Sequence, residues 1–235
     1  MIHFNGFVIF MFHFNFIIMK KYTEKKAVMA RVKQIFANGD AAAVVRCVAY
    51  NPEAQQMLFL PENKDYLEEF VRYGHEFCGK NVARFVAVAT PEMLKNYFEM
   101  GYLLDADAQL LLVQRFGGDV LASYLEYDML CDCVQERVLE LFSFEKMKSF
   151  VAYVGGQGYQ MSELVEEKLF ENRSLTLISV FIYAGGVFSP HGECALIRLG
   201  VQELTDAYFS QRELGAEAAA LLDGREVPDG SAVGL

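Results

Sequence analysis

One unit of the sequence reads SPHGECALI at residues 189–197 and ELTDAYF at residues 203–209. Ser189 followed by Pro190 is typical of a helix start, because serine caps the free N–H groups and proline is favoured in the first helical turn. Glu203 opens the second segment, where a carboxylate complements the positive end of the helix dipole. The unit therefore predicts two short helices in succession.

The same pattern recurs along most of the chain. An aromatic residue followed by an apolar one reappears at separations of 27, 27, 26, 31 and 27 residues, and an apolar residue stands twelve residues before each of these aromatics. We call these two sets of recurring positions columns. Because they recur together, they indicate an internal repeat, and the repeat determines the predicted fold. The aromatic column comprises Phe70, Tyr97, Tyr124, Phe150, Phe181 and Tyr208; the earlier column comprises Leu58, Phe85, Leu112, Val138, Leu169 and Leu196, with Leu222 as a further member.

The predicted helices are short. Helices of about ten residues are marginal in isolation, so each must bury its apolar side against neighbours. Stacked helix pairs share one continuous core, which is the arrangement of an α-solenoid. We therefore expect an all-α fold, an α-solenoid superhelix of about seven to eight two-helix repeats, over residues 20–222. Residues 223–235 continue neither column and are expected to form a flexible tail.

The first nineteen residues differ from the rest of the chain, because they contain six Phe and four Ile but no charged residue. They lack the basic start and the small-residue cleavage site of a signal peptide. Polar residues interrupt the run of about 20 apolar residues that a membrane anchor requires. Residues 1–19 are therefore interpreted as an apolar leader, which is either a mis-assigned start preceding Met19 or a genuine anchor or signal.

Charge and composition argue against several classes of protein. The 235 residues are 53% hydrophobic and carry a formal net charge of −10. High hydrophobicity excludes an intrinsically disordered chain. The acidic balance argues against nucleic-acid binding, which requires clustered Lys and Arg. Five scattered Cys residues indicate reduced thiols rather than a disulfide framework, so we expect a cytoplasmic protein.

Two short motifs have the residue types of a ligand site but not its spacing. The run GGQG at 155–158 lacks the pattern of a phosphate-binding loop and predicts instead a flexible loop between repeats. The run CDC at 131–133 lacks the second pair of ligands that a tetrahedral metal site requires. We therefore expect neither a metal nor a cofactor.

A third group has the residue types of a catalytic triad. His191, Glu193 and Cys194 lie close together in the sequence, but repeat position explains them, because Ser189 and Pro190 start their helix. With His75 as the only other His outside the leader, few general bases are present. We expect no catalytic residues here. The position of Glu193 is shared by Gln109, Gln135 and Glu166 in other units.

The two columns and the unit at 189–209 resemble the armadillo/HEAT-like superfamily of α-solenoids, particularly its short leucine-rich-repeat-variant type. The resemblance covers roughly residues 25–222 and implies a stacked helical fold. Some leucine-rich-repeat-variant proteins carry a Cys-rich iron–sulfur region before their repeats. No Cys precedes Cys47 in this chain, so the resemblance does not imply an iron–sulfur cluster here.

A second set of tyrosines indicates where a partner binds. Tyr73, Tyr127 and Tyr153 lie three residues after a column aromatic and Tyr183 lies two residues after one, so they share roughly one side of their helices. Tyrosine is enriched at interfaces, although contacts between repeats explain the same positions. We predict a non-catalytic scaffold that binds a protein or peptide through these residues.

Two alternative functions are kept. An enzyme built on a HEAT-like solenoid, such as a DNA glycosylase, resembles this chain in length and helix content. It would need a basic concave surface, whereas 31 acidic residues here exceed 21 basic ones. A membrane-tethered adaptor is the third hypothesis, and it applies if residues 1–19 are genuine.

Overall fold

The computed structural model of the protein describes residues 26–210, 212–213 and 215–224. Regular secondary structure in these residues is helical, which confirms the all-α prediction. The described residues divide into two compact units at the boundary between Val88 and Ala89. The predicted leader at 1–19 lies outside the described residues, as does the predicted tail from residue 225 onward.

The first unit begins with a helix whose described part covers residues 26–37, here called α1. Asn51 caps the helix Pro52–Gln55 (α3) by accepting hydrogen bonds from two N–H groups of its first turn. The core of this unit contains Leu58 and Phe70, both completely buried. The remaining elements are α2 (Ala41–Val48), α3 (Pro52–Gln55), the 3₁₀ turns Gln56–Phe59 and Pro61–Asn63, α4 (Lys64–Arg72) and α5 (Asn81–Val88).

The second unit consists of short helices with polar starts. Thr90, Asp105 and Ser189 each accept a hydrogen bond from an N–H group in the first turn of the helix they precede, as the sequence predicts. The helices are α6 (Pro91–Glu99), α7 (Ala106–Arg115), α8 (Asp119–Leu125), α9 (Asp132–Leu141), α10 (Phe144–Gly156), α11 (Glu163–Glu171), α12 (Leu175–Ala184), α13 (Pro190–Leu199), α14 (Gln202–Phe209) and α15 (Ala216–Leu222).

Helices of the second unit pack in two rows. Each helix contacts the helix two positions along the chain, so that α6, α8, α10, α12 and α14 form one row and α7, α9, α11, α13 and α15 form the other. We call these the even row and the odd row. This packing order is compatible with stacked helix pairs.

Both predicted columns form the core. All six aromatic-column residues and all six members of the earlier column are at most 3% exposed. Leu222 was predicted to continue the earlier column, but it is 49% exposed. The prediction is wrong for Leu222 because α15 packs on α13 and, within the described residues, no later helix covers its other side.

The glycine run at 155–158 differs from its prediction. Gly155 and Gly156 belong to α10, which is thirteen residues long, and not to a loop. A Cβ on Gly155 would lie 2.9 Å from the Phe181 carbonyl oxygen and 3.0 Å from the Ala184 Cβ. Gly155 therefore allows α10 and α12 to approach closely. Gly158, with a φ of +70°, forms the turn that follows the helix.

Candidate functional site

Three of the four predicted tyrosines belong to the even row of the second unit. Tyr127 follows the end of α8, Tyr153 lies in α10 and Tyr183 lies in α12. Their exposed fractions are 43%, 40% and 63%, whereas the column aromatics two or three residues earlier are buried. We call these three residues the tyrosine row. Each of them is a large, exposed aromatic side chain in or just after one helix of the even row.

Clefts between successive even-row helices include two of these tyrosines. Between α12 and α14, a cleft of about 370 Å³ is lined by Tyr183, Leu175 and Leu204, with Glu203 at its edge. Between α8 and α10, a smaller apolar cleft of about 20 Å³ includes Tyr153. The residues that line it are Gly117, Gly118, Leu121, Ala122, Leu125, Phe142, Lys146, Ser149, Phe150 and Tyr153.

Tyr73, the fourth predicted tyrosine, lies in the first unit. It is 53% exposed and caps the C-terminal end of α4. The Arg72 guanidinium lies 5.7 Å from the centre of its ring, a cation–π distance. Tyr73 and His75 line a cleft of about 120 Å³ together with Val45 and Arg46 of α2. Like Tyr183, Tyr73 lines a cleft, but it belongs to a separate unit.

The odd row contains a buried polar feature whose hydrogen bonds the sequence did not reveal. Gln109 donates a hydrogen bond from Nε2 to the Leu104 carbonyl at 3.1 Å, and its Oε1 accepts one from the Cys131 N–H at 2.8 Å. Gln135 repeats this arrangement with the Leu130 carbonyl at 2.7 Å and the Ser162 N–H at 2.8 Å. Each amide therefore joins the start of its own helix to the start of the next helix in the row.

Glu166 and Glu193 occupy the same position in the next two helices of the odd row. The Glu166 carboxylate accepts a hydrogen bond from the Ser189 N–H at 3.0 Å. Glu193 accepts one from the Gly215 N–H at 3.3 Å and another from the Tyr208 hydroxyl at 3.3 Å. We call Gln109, Gln135, Glu166 and Glu193 the polar ladder. Its four members are between 0% and 9% exposed.

The first unit contains an independent example of the same contact. Gln55 donates from Nε2 to the Ala49 carbonyl at 3.1 Å, and its Oε1 accepts from the Cys78 N–H at 2.9 Å. The sequence contains a signal for this contact, because a Gln or Glu recurs at the same position of the repeat. The hydrogen-bond partners of these side chains could not be found from the sequence, because each bond joins residues of two helices that are 22 to 27 positions apart.

Burial alters the acid–base properties of the ladder. Desolvation, opposed by hydrogen bonds from Ser189, raises the pKa of Glu166 to about 7. Desolvation also raises the pKa of Tyr208 to about 12. These groups are enclosed and bonded to backbone atoms, so the ladder aligns helices rather than presenting reactive groups to a ligand.

A wide acidic cleft lies between α9 and α11 of the odd row. It measures about 480 Å³ and is lined by Asp132, Glu136 and Glu163. Ser162 also lines it. Although Ser162 precedes α11, its hydroxyl makes no capping bond and has no hydrogen-bond partner among the residues that the structure describes. This surface differs in charge from the tyrosine row on the other row of helices.

The residues considered for a triad are not arranged as one. His191 is exposed and Cys194 is buried, and the Glu193 carboxylate is bonded to Tyr208 and Gly215. In the described part of the chain, no hydrogen bond joins His191 to Cys194. Their positions follow from the repeat, as the sequence indicates.

Comparison with known proteins does not assign this chain to a family. No family model, no curated protein and no solved structure matches this chain. Across the described ranges, none of the helices combines the length and the hydropathy needed to span a membrane.

Proposed function

We propose that this protein is a non-catalytic helical-repeat scaffold, an α-solenoid of the armadillo/HEAT-like type, that binds a protein or peptide along its even row. The observation that carries the proposal is the exposure of the tyrosine row: Tyr127 follows α8, Tyr153 lies in α10 and Tyr183 lies in α12, three elements that pack one on the next. The sequence resemblance supports the superhelical architecture, and the order in which helices pack within the second unit is compatible with it.

The spacing of the tyrosine row suits an extended ligand. Neighbouring helices pack roughly 8–10 Å apart, so three successive helices extend over roughly 16–20 Å. That distance corresponds to about five or six residues of an extended peptide. A ligand that crosses α8, α10 and α12 would therefore meet a tyrosine about every third residue.

Tyrosine side chains are suited to this task. They offer a large contact area with few rotatable bonds, and the hydroxyl supplies a hydrogen bond at the edge of an apolar contact. The cleft between α12 and α14 adds Leu175 and Leu204, with the Glu203 carboxylate beside them. We therefore expect a partner segment with apolar anchor residues and a flanking Lys or Arg, which also matches the net charge of −10.

Peptide selection followed by site-specific crosslinking tests this proposal. The full chain is used as bait for a displayed library of random peptides, and a photoreactive phenylalanine analogue replaces Tyr153 or Tyr183 in separate preparations. We expect the selected peptides to crosslink at both positions. Tyr50, which is 90% exposed in the first unit, is the matched control and should not crosslink. Crosslinking at Tyr50 alone would contradict the proposed surface.

A further inference from the structure

Two thiols meet at the start of α9. Cys131 precedes the helix with an extended backbone, at a φ of −63° and a ψ of 152°, and Cys133 lies in the first turn. Their sulfur atoms are 3.3 Å apart. Cys133 is exposed and Cys131 is half-buried, so small reagents in solvent can reach the pair.

The pair is distinct from the other cysteines. Cys47, Cys78 and Cys194 are also free thiols, but among the described residues only Cys131 and Cys133 have their sulfur atoms in contact. A disulfide has a sulfur–sulfur distance of about 2.05 Å. The two sulfurs must therefore approach by a little over an ångström for a disulfide to form.

The surroundings favour a disulfide over a metal site. A structural zinc site requires four ligands. Throughout the part of the chain that the structure describes, no group of three or more His, Cys, Asp and Glu side chains is placed to hold a metal ion. Two sulfurs in contact without further ligands are the arrangement of a dithiol.

We propose that Cys131 and Cys133 form a redox-active dithiol, a modification site that hydrogen peroxide oxidises to an intrachain disulfide. In the first step the Cys133 thiol reacts with peroxide, whose O–O bond breaks, to give a sulfenic acid and one water. In the second step the Cys131 sulfur attacks the Cys133 sulfur, the S–O bond breaks, and a second water leaves. Two electrons pass from the sulfurs to peroxide, and both thiol protons end in water.

The order of the two steps follows from the environment of each thiol. Burial raises the pKa of the Cys131 thiol, and the hydrogen bond with Cys133 adds to this effect. Cys131 therefore loses its proton less readily, and the more exposed Cys133 reacts first. Since exposed disulfides are the readily reduced ones, a low-molecular-weight thiol should restore both thiols.

Thiol mapping on the full chain tests the proposal. The protein is treated with hydrogen peroxide, free thiols are alkylated, and the digest is analysed by mass spectrometry. We expect the peptide that contains both Cys131 and Cys133 to lose the mass of two hydrogens and to take up no alkylating reagent. Reduced glutathione should reverse both changes.

Serine variants provide the controls. Cys133→Ser and Cys131→Ser should abolish the bridge and leave the remaining thiol open to alkylation. Cys47→Ser and Cys194→Ser should leave the bridge intact. Over-oxidation of Cys133 to a sulfinic acid in the wild-type chain without a bridge, or a bridge that maps to another cysteine, would overturn the proposal. Mapping of the wild-type chain decides this even if a variant folds poorly.

Discussion

The Glu166 carboxylate accepts hydrogen bonds from both the N–H and the hydroxyl of Ser189. The Ser189 N–H donates to Oε1 at 3.0 Å and the Ser189 hydroxyl donates to Oε2 at 2.5 Å. The hydroxyl in turn accepts a bond from the Gly192 N–H at 3.0 Å. A completely buried acid thus holds the first turn of the next odd-row helix, where the equivalent positions of α7 and α9 use a neutral amide.

We expect the stability of the protein to fall as the pH rises through about 7. The pKa of Glu166 is raised from 4.5 to about 7 by burial, so the folded state binds this proton more tightly than the unfolded state. The stabilisation is complete below pH 4.5 and is lost as the pH passes the folded pKa. Glu166→Gln should remove this dependence and stabilise the protein at pH 8, by on the order of 1–3 kcal/mol.

Urea unfolding between pH 5 and pH 8 measures this effect. Glu167→Gln is the matched control, because Glu167 is the next residue of the same helix and is exposed. It should keep the wild-type pH dependence. An equal slope of unfolding free energy against pH in wild type and Glu166→Gln would show that Glu166 does not bind the proton.

Removal of a ladder amide should destabilise the second unit. Gln109→Leu leaves the Leu104 carbonyl and the Cys131 N–H without their partner, and it also removes the bond to the Tyr124 hydroxyl. We expect a loss of about 1–3 kcal/mol for each buried group left unsatisfied. Gln114→Leu, at an exposed position of the same helix, should change stability by no more than about 0.5 kcal/mol. Equal denaturation midpoints for the two variants would contradict a stabilising ladder.

The close approach of α10 and α12 predicts opposite effects for two adjacent glycines. Gly155→Ala should cost about 1–3 kcal/mol, because its Cβ would lie 2.9 Å from the Phe181 carbonyl oxygen. Gly156→Ala should be neutral or stabilising by about 0.5–1 kcal/mol, since no atom lies within 4 Å of its Cβ position and alanine favours helix. Thermal denaturation of both variants tests this. A more stable Gly155→Ala protein would show that the helices are not in close contact there.

The parts of the fold that depend on local pattern were predictable from the sequence. Columns such as those of Tyr97 and Leu112 identified the core, and polar residues such as Thr90 and Ser189 identified helix starts. The loop prediction for Gly155 is wrong because glycine runs favour loops by local preference, whereas here a close tertiary contact with Phe181 requires a residue without a Cβ. The hydrogen-bond partners of the polar ladder could not be predicted from the sequence either, because these bonds depend on how the helices stack.

Sequence spacing alone identified Tyr153 and Tyr183 as candidate contact residues, and their role in binding stays a prediction. Tyr153 follows its column aromatic by three residues and Tyr183 by two, so the spacing did not fix a common side of the helices. The clefts beside them exist because neighbouring even-row helices leave a gap between side chains such as Leu175 and Leu204, and sequence spacing does not encode that gap.

The most direct test of the central claim is the affinity of a library-selected peptide for the full chain and its variants, measured by calorimetry. For the double variant Tyr153→Ala/Tyr183→Ala we predict an increase in Kd of at least about tenfold, which corresponds to about 1.4 kcal/mol. Tyr50→Ala and the acidic-cleft variant Glu136→Gln/Glu163→Gln should bind as wild type does. Unchanged affinity in the tyrosine variant, or a loss confined to the acidic-cleft variant, would contradict binding through the tyrosine row.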